Sequence, residues 1–111
     1  MIACARIAGD GSLVGESDAG IVSARRIAAG VYEINVSYAD ANLNPLPASD
    51  AAFAVVVSLV TSGTTPMPLV AFWQITSFSA GQETFTVNVS ILNISTVTLT
   101  DAVFSVLVFG P

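Results

Sequence analysis

"RRIAAGVYEINVSY", residues 25–38, decides the fold. Beyond Gly30 it alternates strictly: Tyr32, Ile34, Val36 and Tyr38 fall on one side, and Glu33, Asn35 and Ser37 on the other. Successive side chains of an extended chain point to opposite faces, so this is a strand with one face in a core and one in water. Gly30 follows two alanines and suits a positive φ, which makes a tight turn and joins the strand to "IVSARRI" as a hairpin. Arg25 and Arg26 are neighbours in a strand and cannot share a face. One reads as facing solvent, the other as paired with a carboxylate across a strand or a subunit boundary, since a guanidinium fork matches a carboxylate well.

The rest of the chain follows the same grammar. "ACARIA" reads as a short early strand, and "GDGSLVGESDAG" as a glycine-rich acidic connection with a brief strand at Ser12 to Val14. "AFAVVVSLV" places Phe53, Val55, Val57 and Leu59 on one face, and its other face, with Val56, is apolar apart from Ser58. It reads as a central strand or one packed against a neighbouring chain. "LVAFWQITSF" groups Leu69, Ala71, Trp73 and Ile75 opposite Val70, Phe72, Gln74 and Thr76; "TFTVNVSILN" alternates cleanly; "AVFSVLVFG", with Leu107, is apolar on both sides. No stretch has a helical period, and "ADANLNPLPASD" and "TSGTTPMP" read as loops. These elements predict an all-β fold: one antiparallel, jelly-roll-like β-sandwich domain over residues 1–111.

The halves echo one another. Asp50, Ala51 and Phe53 correspond to Asp101, Ala102 and Phe104, and Asn35-Val36-Ser37 corresponds to Asn88-Val89-Ser90. Two origins stay open, a duplication or the resemblance that alternation lends any two strands.

Composition narrows the function. The chain is 53% hydrophobic and 10% charged, against typical values of ~45–50% and ~25%. Its surface is therefore covered mostly by Ser, Thr, Asn, Ala and apolar groups, which predicts self-association. A net charge of −5 with only three basic residues leaves no footprint for nucleic acid. No apolar run reaches the ~20 residues of a spanning helix, so no membrane insertion is expected. The N-terminus lacks the pattern of a signal peptide, which predicts assembly in a cytoplasm. Cys4, the only cysteine, excludes an intramolecular disulfide and reads as a buried small hydrophobe.

Chemistry is poorly provided for. Without histidine or lysine the usual general bases and Schiff-base amines are missing. The acids Asp10, Glu16, Asp18, Asp40, Asp50, Glu83 and Asp101 fall in or beside loops, and only Glu33 lies within a strand, so no enzyme is expected. "DANLN" at residues 40–44 has oxygen donors at the spacing of a calcium loop, but Pro45 stands where the turn glycine belongs and Ala51 where the bidentate Glu belongs. It reads as an Asx-rich turn, and no cofactor or metal is implied. The N-x-S triplets at Asn35, Asn88 and Asn93 are formal glycosylation matches only.

The "GVYEINV" strand directly after a tight turn, with the closing "DAVFSVLVFG" strand, resembles the small jelly-roll heads of the C1q and TNF type and the β-sandwich modules of bacteriophage fibre, spike and decoration proteins. The resemblance spans residues 21–111 and implies a non-enzymatic structural or adhesion module in a virion, assembled in the host cytoplasm as a homo-oligomer, with a trimer favoured. Other virion proteins or surface glycans would be its partners. Arg25, Arg26, Val56 and Leu107 are then interface candidates. The alternative is a carbohydrate- or small-ligand-binding sandwich in which Trp73, Phe72 or Tyr38 stacks on a sugar, although the phase of Trp73 favours the core.

Overall fold

The alternating stretch forms an antiparallel hairpin of β3 (Ile21–Ala28) and β4 (Val31–Ser37) in the computed structural model, which describes residues 1–14, 20–60 and 68–111. Gly30 takes the positive φ expected of it, 70°, and a Cβ there would lie 2.5 Å from the backbone nitrogen of Thr100. The other strands are β1 (Ala3–Ile7), β2 (Leu13–Val14), β5 (Ala54–Val60), β6 (Leu69–Ile75), β7 (Thr84–Asn93), β8 (Thr98–Leu99) and β9 (Val103–Phe109). Glu16 and Asp18 of the acidic connection, and Gly63 and Pro66 of the "TSGTTPMP" loop, lie outside the described residues.

Two antiparallel sheets face one another. The first has the order β2-β1-β9-β5; the second has β3-β4-β7-β6, with β8 pairing on β7. The hairpins β3–β4 and β6–β7 stay within one sheet, whereas the chain crosses between sheets after β2, β4, β5 and β8. Among the described residues the only helical turns are short 3-10 turns, Ala39–Ala41 and Asp50–Ala52. None of the structure's helices is long and apolar enough to cross a membrane.

One core lies between the sheets. Tyr32, Ile34 and Val36 of β4 and Phe85, Val87, Val89 and Ile91 of β7 meet Ala3, Ala5 and Ile7 of β1 and Phe104, Val106 and Val108 of β9. At one end, Tyr38, Phe53, Phe78 and Phe85 form an aromatic cluster with ring centroids 4.8–6.4 Å apart. Apart from the hydroxyls of Tyr32 and Tyr38, no polar or charged side chain is in this core among the described residues. In β4, β7 and β9 the buried set is the one that alternation groups together, whereas β3 changes phase at its register shifts.

Lateral position differs from the expectation for one strand. β5 was open to reading as a central strand because both its faces are apolar, yet it lies at the edge of the first sheet, paired only with β9. The internal echo has a structural counterpart in strand order. Exchanging the halves exchanges β4 with β7, β3 with β6 and β5 with β9. The pairs Glu33↔Asn88 and Asn35↔Thr86 exchange with each other, and Val56↔Leu107 maps onto itself. β1 breaks the correspondence: it pairs on the far side of β9, and among the described residues no strand hydrogen-bonds to the far side of β5.

Candidate functional site

The two arginines find their carboxylates within the chain. Arg25 stands opposite Glu33 in the β3–β4 register and reaches it at 3.3 Å, with both side chains on the outer face of the second sheet. Arg26 turns to the rim of the sandwich, where its Nε donates to both oxygens of Asp101, at 3.0 and 2.9 Å. Asp101 Oδ1 also accepts the Gly30 backbone N–H at 2.7 Å. The Tyr32 hydroxyl lies 2.8 Å from the Gly9 carbonyl and 3.2 Å from Asp101. One loop carboxylate thus joins the hairpin turn, β3 and the entry to β9. The Arg26 hydrogen bond, then the Gly30 N–H, hold the Asp101 carboxyl below the usual carboxylate range, and burial pushes the Tyr32 phenol up.

The outer face of the first sheet carries an apolar row beside a polar one, Arg6–Ser105–Ser58. In register across three strands stand Cys4, Leu107 and Val56, with Val14 beside Arg6 at the β2 edge and Phe109 opposite Ala54. Val56 is 47% exposed, and Val14 and Phe109 are exposed with it. Beside the row a depression of about 420 Å³ is lined by Cys4, Arg6, Val14, Ser105 and Leu107 among others. Val56 and Leu107 are therefore direct cross-strand neighbours on one face, a juxtaposition that their separation in sequence does not reveal.

The outer face of the second sheet is polar. Thr86 Oγ1 donates to Asn35 Oδ1, and Asn35 Nδ2 donates to Ser23 Oγ, both at 2.8 Å, so one hydrogen-bonded row crosses β7, β4 and β3. Nearer β6 lies a shallow cleft of about 230 Å³ lined by Val31, Phe72, Trp73, Gln74, Asn88 and Ser90. Phe72 is 55% exposed on its wall. Asn88 Oδ1 is shielded from solvent and has no hydrogen-bond donor.

Two aromatic expectations change. Tyr38 is 1% exposed, packed among Phe53, Phe78 and Phe85, so its ring offers no face for stacking on a sugar; burial pushes its phenol up. Trp73 shows the reverse. It stands opposite Val89 and so has the inward phase its spacing favours, but it is 45% exposed rather than buried, on an edge strand that has no hydrogen-bonded partner on its far side among the described residues.

At "DANLN" the chain forms the Ala39–Ala41 turn and ends it on Asn42 with φ 54°, the left-handed turn geometry an asparagine tolerates. Among the described residues there is no group of three or more Cys, Asp or Glu side chains that would hold a metal ion. Asn88, Gln74 and Ser90 were not singled out as functional from the sequence. The signal that was present is the match of Asn88-Val89-Ser90 to Asn35-Val36-Ser37, which puts the same polar residues on the same outer face. Neither a protein family nor a characterised protein nor a solved structure matches the chain.

Proposed function

We propose that this chain is a non-enzymatic structural and adhesion module that assembles with copies of itself, as a fibre, spike or decoration component of a virion does. The observation that carries the reading is the Cys4–Leu107–Val56 row, an apolar stripe across the outer face of the first sheet. A free-standing sandwich shows mostly polar side chains on its outer faces, as the hydrogen-bonded row across β7, β4 and β3 does here. Leaving the stripe in water forfeits part of the ~1.5–3 kcal/mol that burying each large apolar side chain contributes. A closed homo-oligomer covers it with the least new machinery, and the resemblance to trimeric jelly-roll heads favours three copies. β5 supports the same reading: it is an edge strand with no charge, no proline and no bulge, whereas β3, an edge of the second sheet, carries two arginines and two register breaks.

Native mass spectrometry or light scattering on the purified chain tests the proposal. A trimer mass that falls to the monomer in Val56→Asp, with the strand content of circular dichroism retained, is the expected result. A wild-type chain that is monomeric at high micromolar concentration refutes the proposal.

A further inference from the structure

We infer that the cleft on the outer face of the second sheet is a subsite for one ring of a neutral saccharide, held by Phe72, Gln74, Asn88 and Ser90 with Trp73 at its margin. The inference is independent of self-association, which uses the other sheet. It starts from a contrast between repeat counterparts. Asn35 has both ends of its amide engaged, by Ser23 and by Thr86. Asn88, at the corresponding place in β7, has an oxygen shielded from water and no donor for it. Buried polar atoms are nearly always paired, so an orphan acceptor beside a cleft marks where a ligand donor belongs.

The lining defines that ligand's chemistry. Phe72 offers an exposed apolar ring face, while Gln74, Asn88 and Ser90 offer amide and hydroxyl groups that both donate and accept. A pyranose ring has this dual character, with C–H groups to lie on the phenyl face and neighbouring hydroxyls to pair with an amide. Gln74 is exposed on the edge strand and opposite Asn88, so it can turn aside to admit a hydroxyl to Asn88 Oδ1. Charge argues against the alternatives: no cation lines the cleft, and the cross-strand neighbour of Asn88 on β4 is an acid, Glu33. Phosphates, sulfated glycans and sialylated glycans are thereby disfavoured. At about 230 Å³ the cleft is smaller than the ~300–1,000 Å³ pockets of drug-sized ligands, which fits one ring of a longer chain.

The test is a nuclear magnetic resonance titration of the isotopically labelled full chain. The probes are neutral oligosaccharides of glucose, galactose, mannose and N-acetylglucosamine, with sialyllactose as the charged control. At least one neutral probe should shift the side-chain amides of Asn88 and Gln74 and the backbone amides of Phe72 and Trp73, with a dissociation constant on the order of 1 mM. Phe72→Ala and Asn88→Ala should each weaken binding about tenfold, while Val56→Asp, which disrupts the proposed assembly, should leave it unchanged. Phe72→Ala removes an exposed ring and keeps the fold, which the backbone amide spectrum verifies. The inference is overturned if no neutral probe moves these signals at about 10 mM. It is equally overturned if binding survives Phe72→Ala, if only sialyllactose binds, or if the signals respond to protein concentration and not to sugar.

Discussion

At the scale of single residues, Asp101 does more than its loop position suggests. A loop acid is by default solvated, and the sequence offers no reason to set this one apart. Its partner Arg26 is 75 positions away, and only the folding of β9 back beside the β3–β4 turn brings them together. Asp101→Ala should cost ~1–3 kcal/mol in chemical denaturation, because the Gly30 N–H loses its acceptor in a part-buried turn. Arg25→Ala should cost no more than ~1 kcal/mol, since the Arg25–Glu33 pair is exposed. The sign of the pH dependence follows from the depressed Asp101 carboxyl. A group whose folded pKa lies below its unfolded value of ~3.9 stabilises fully above that value and loses its contribution as pH falls through the folded pKa. The gap in stability between wild type and Asp101→Asn should be constant from neutrality to about pH 4 and narrow below it. Asp10 is also held low, by the hydroxyl and N–H of Ser12, so the variant is needed to isolate Asp101. A gap that widens on acidification would contradict this assignment.

At the scale of elements, phase was legible and lateral position was not. Period-two alternation states which residues share a face, and β4, β7 and β9 each bury the set that alternation assigns to the core. Alternation says nothing about how many strands lie beyond a given one. Trp73 has the inward phase and is half exposed, and β5 is apolar on both faces and still an edge, for this one reason. Tyr38 was equally ambiguous from sequence until Phe53, Phe78 and Phe85, from three separate segments, closed around it. The cleft around Asn88 depends on the pairing of β6 with β7 and of β7 with β4, and it was invisible for the same cause. Neighbouring positions on β9 turn phase into a measurement. Val106 is fully buried and Leu107 faces outward. Val106→Asp places a carboxyl in the core and costs ~2–7 kcal/mol even when protonated, so it should abolish the folded state. Leu107→Asp should leave the β-type circular dichroism spectrum in place and change only assembly. Equal loss of folded protein in the two variants would mean that the outer face is as buried as the inner one.

At the scale of the whole molecule, the two broad faces differ in chemistry, and the proposed assembly places a partner on one of them. The second sheet has a hydrogen-bonded polar row across β7, β4 and β3, with Phe72 exposed on β6; the first presents Cys4, Leu107, Val56 and Phe109 beside the Arg6–Ser105–Ser58 row. A partner that binds only the folded chain stabilises it by mass action, so assembly makes unfolding concentration-dependent. The midpoint of thermal unfolding should therefore rise as the chain is concentrated. In a closed ring the stripe repeats in each copy, and the repeat magnifies a substitution: Val56→Asp puts one carboxylate per subunit into a shared apolar contact, where each is desolvated and repels the others. Val56→Asp should thus lower the midpoint at high concentration and remove its concentration dependence. Arg25→Ala, which alters only an exposed pair on the other sheet, should keep the dependence and move the midpoint little. Differential scanning calorimetry over a hundredfold range of concentration distinguishes these cases. A wild-type midpoint that does not move across that range would leave the apolar face of the first sheet covered by something other than a second copy of this chain, and the assembly proposal would fall.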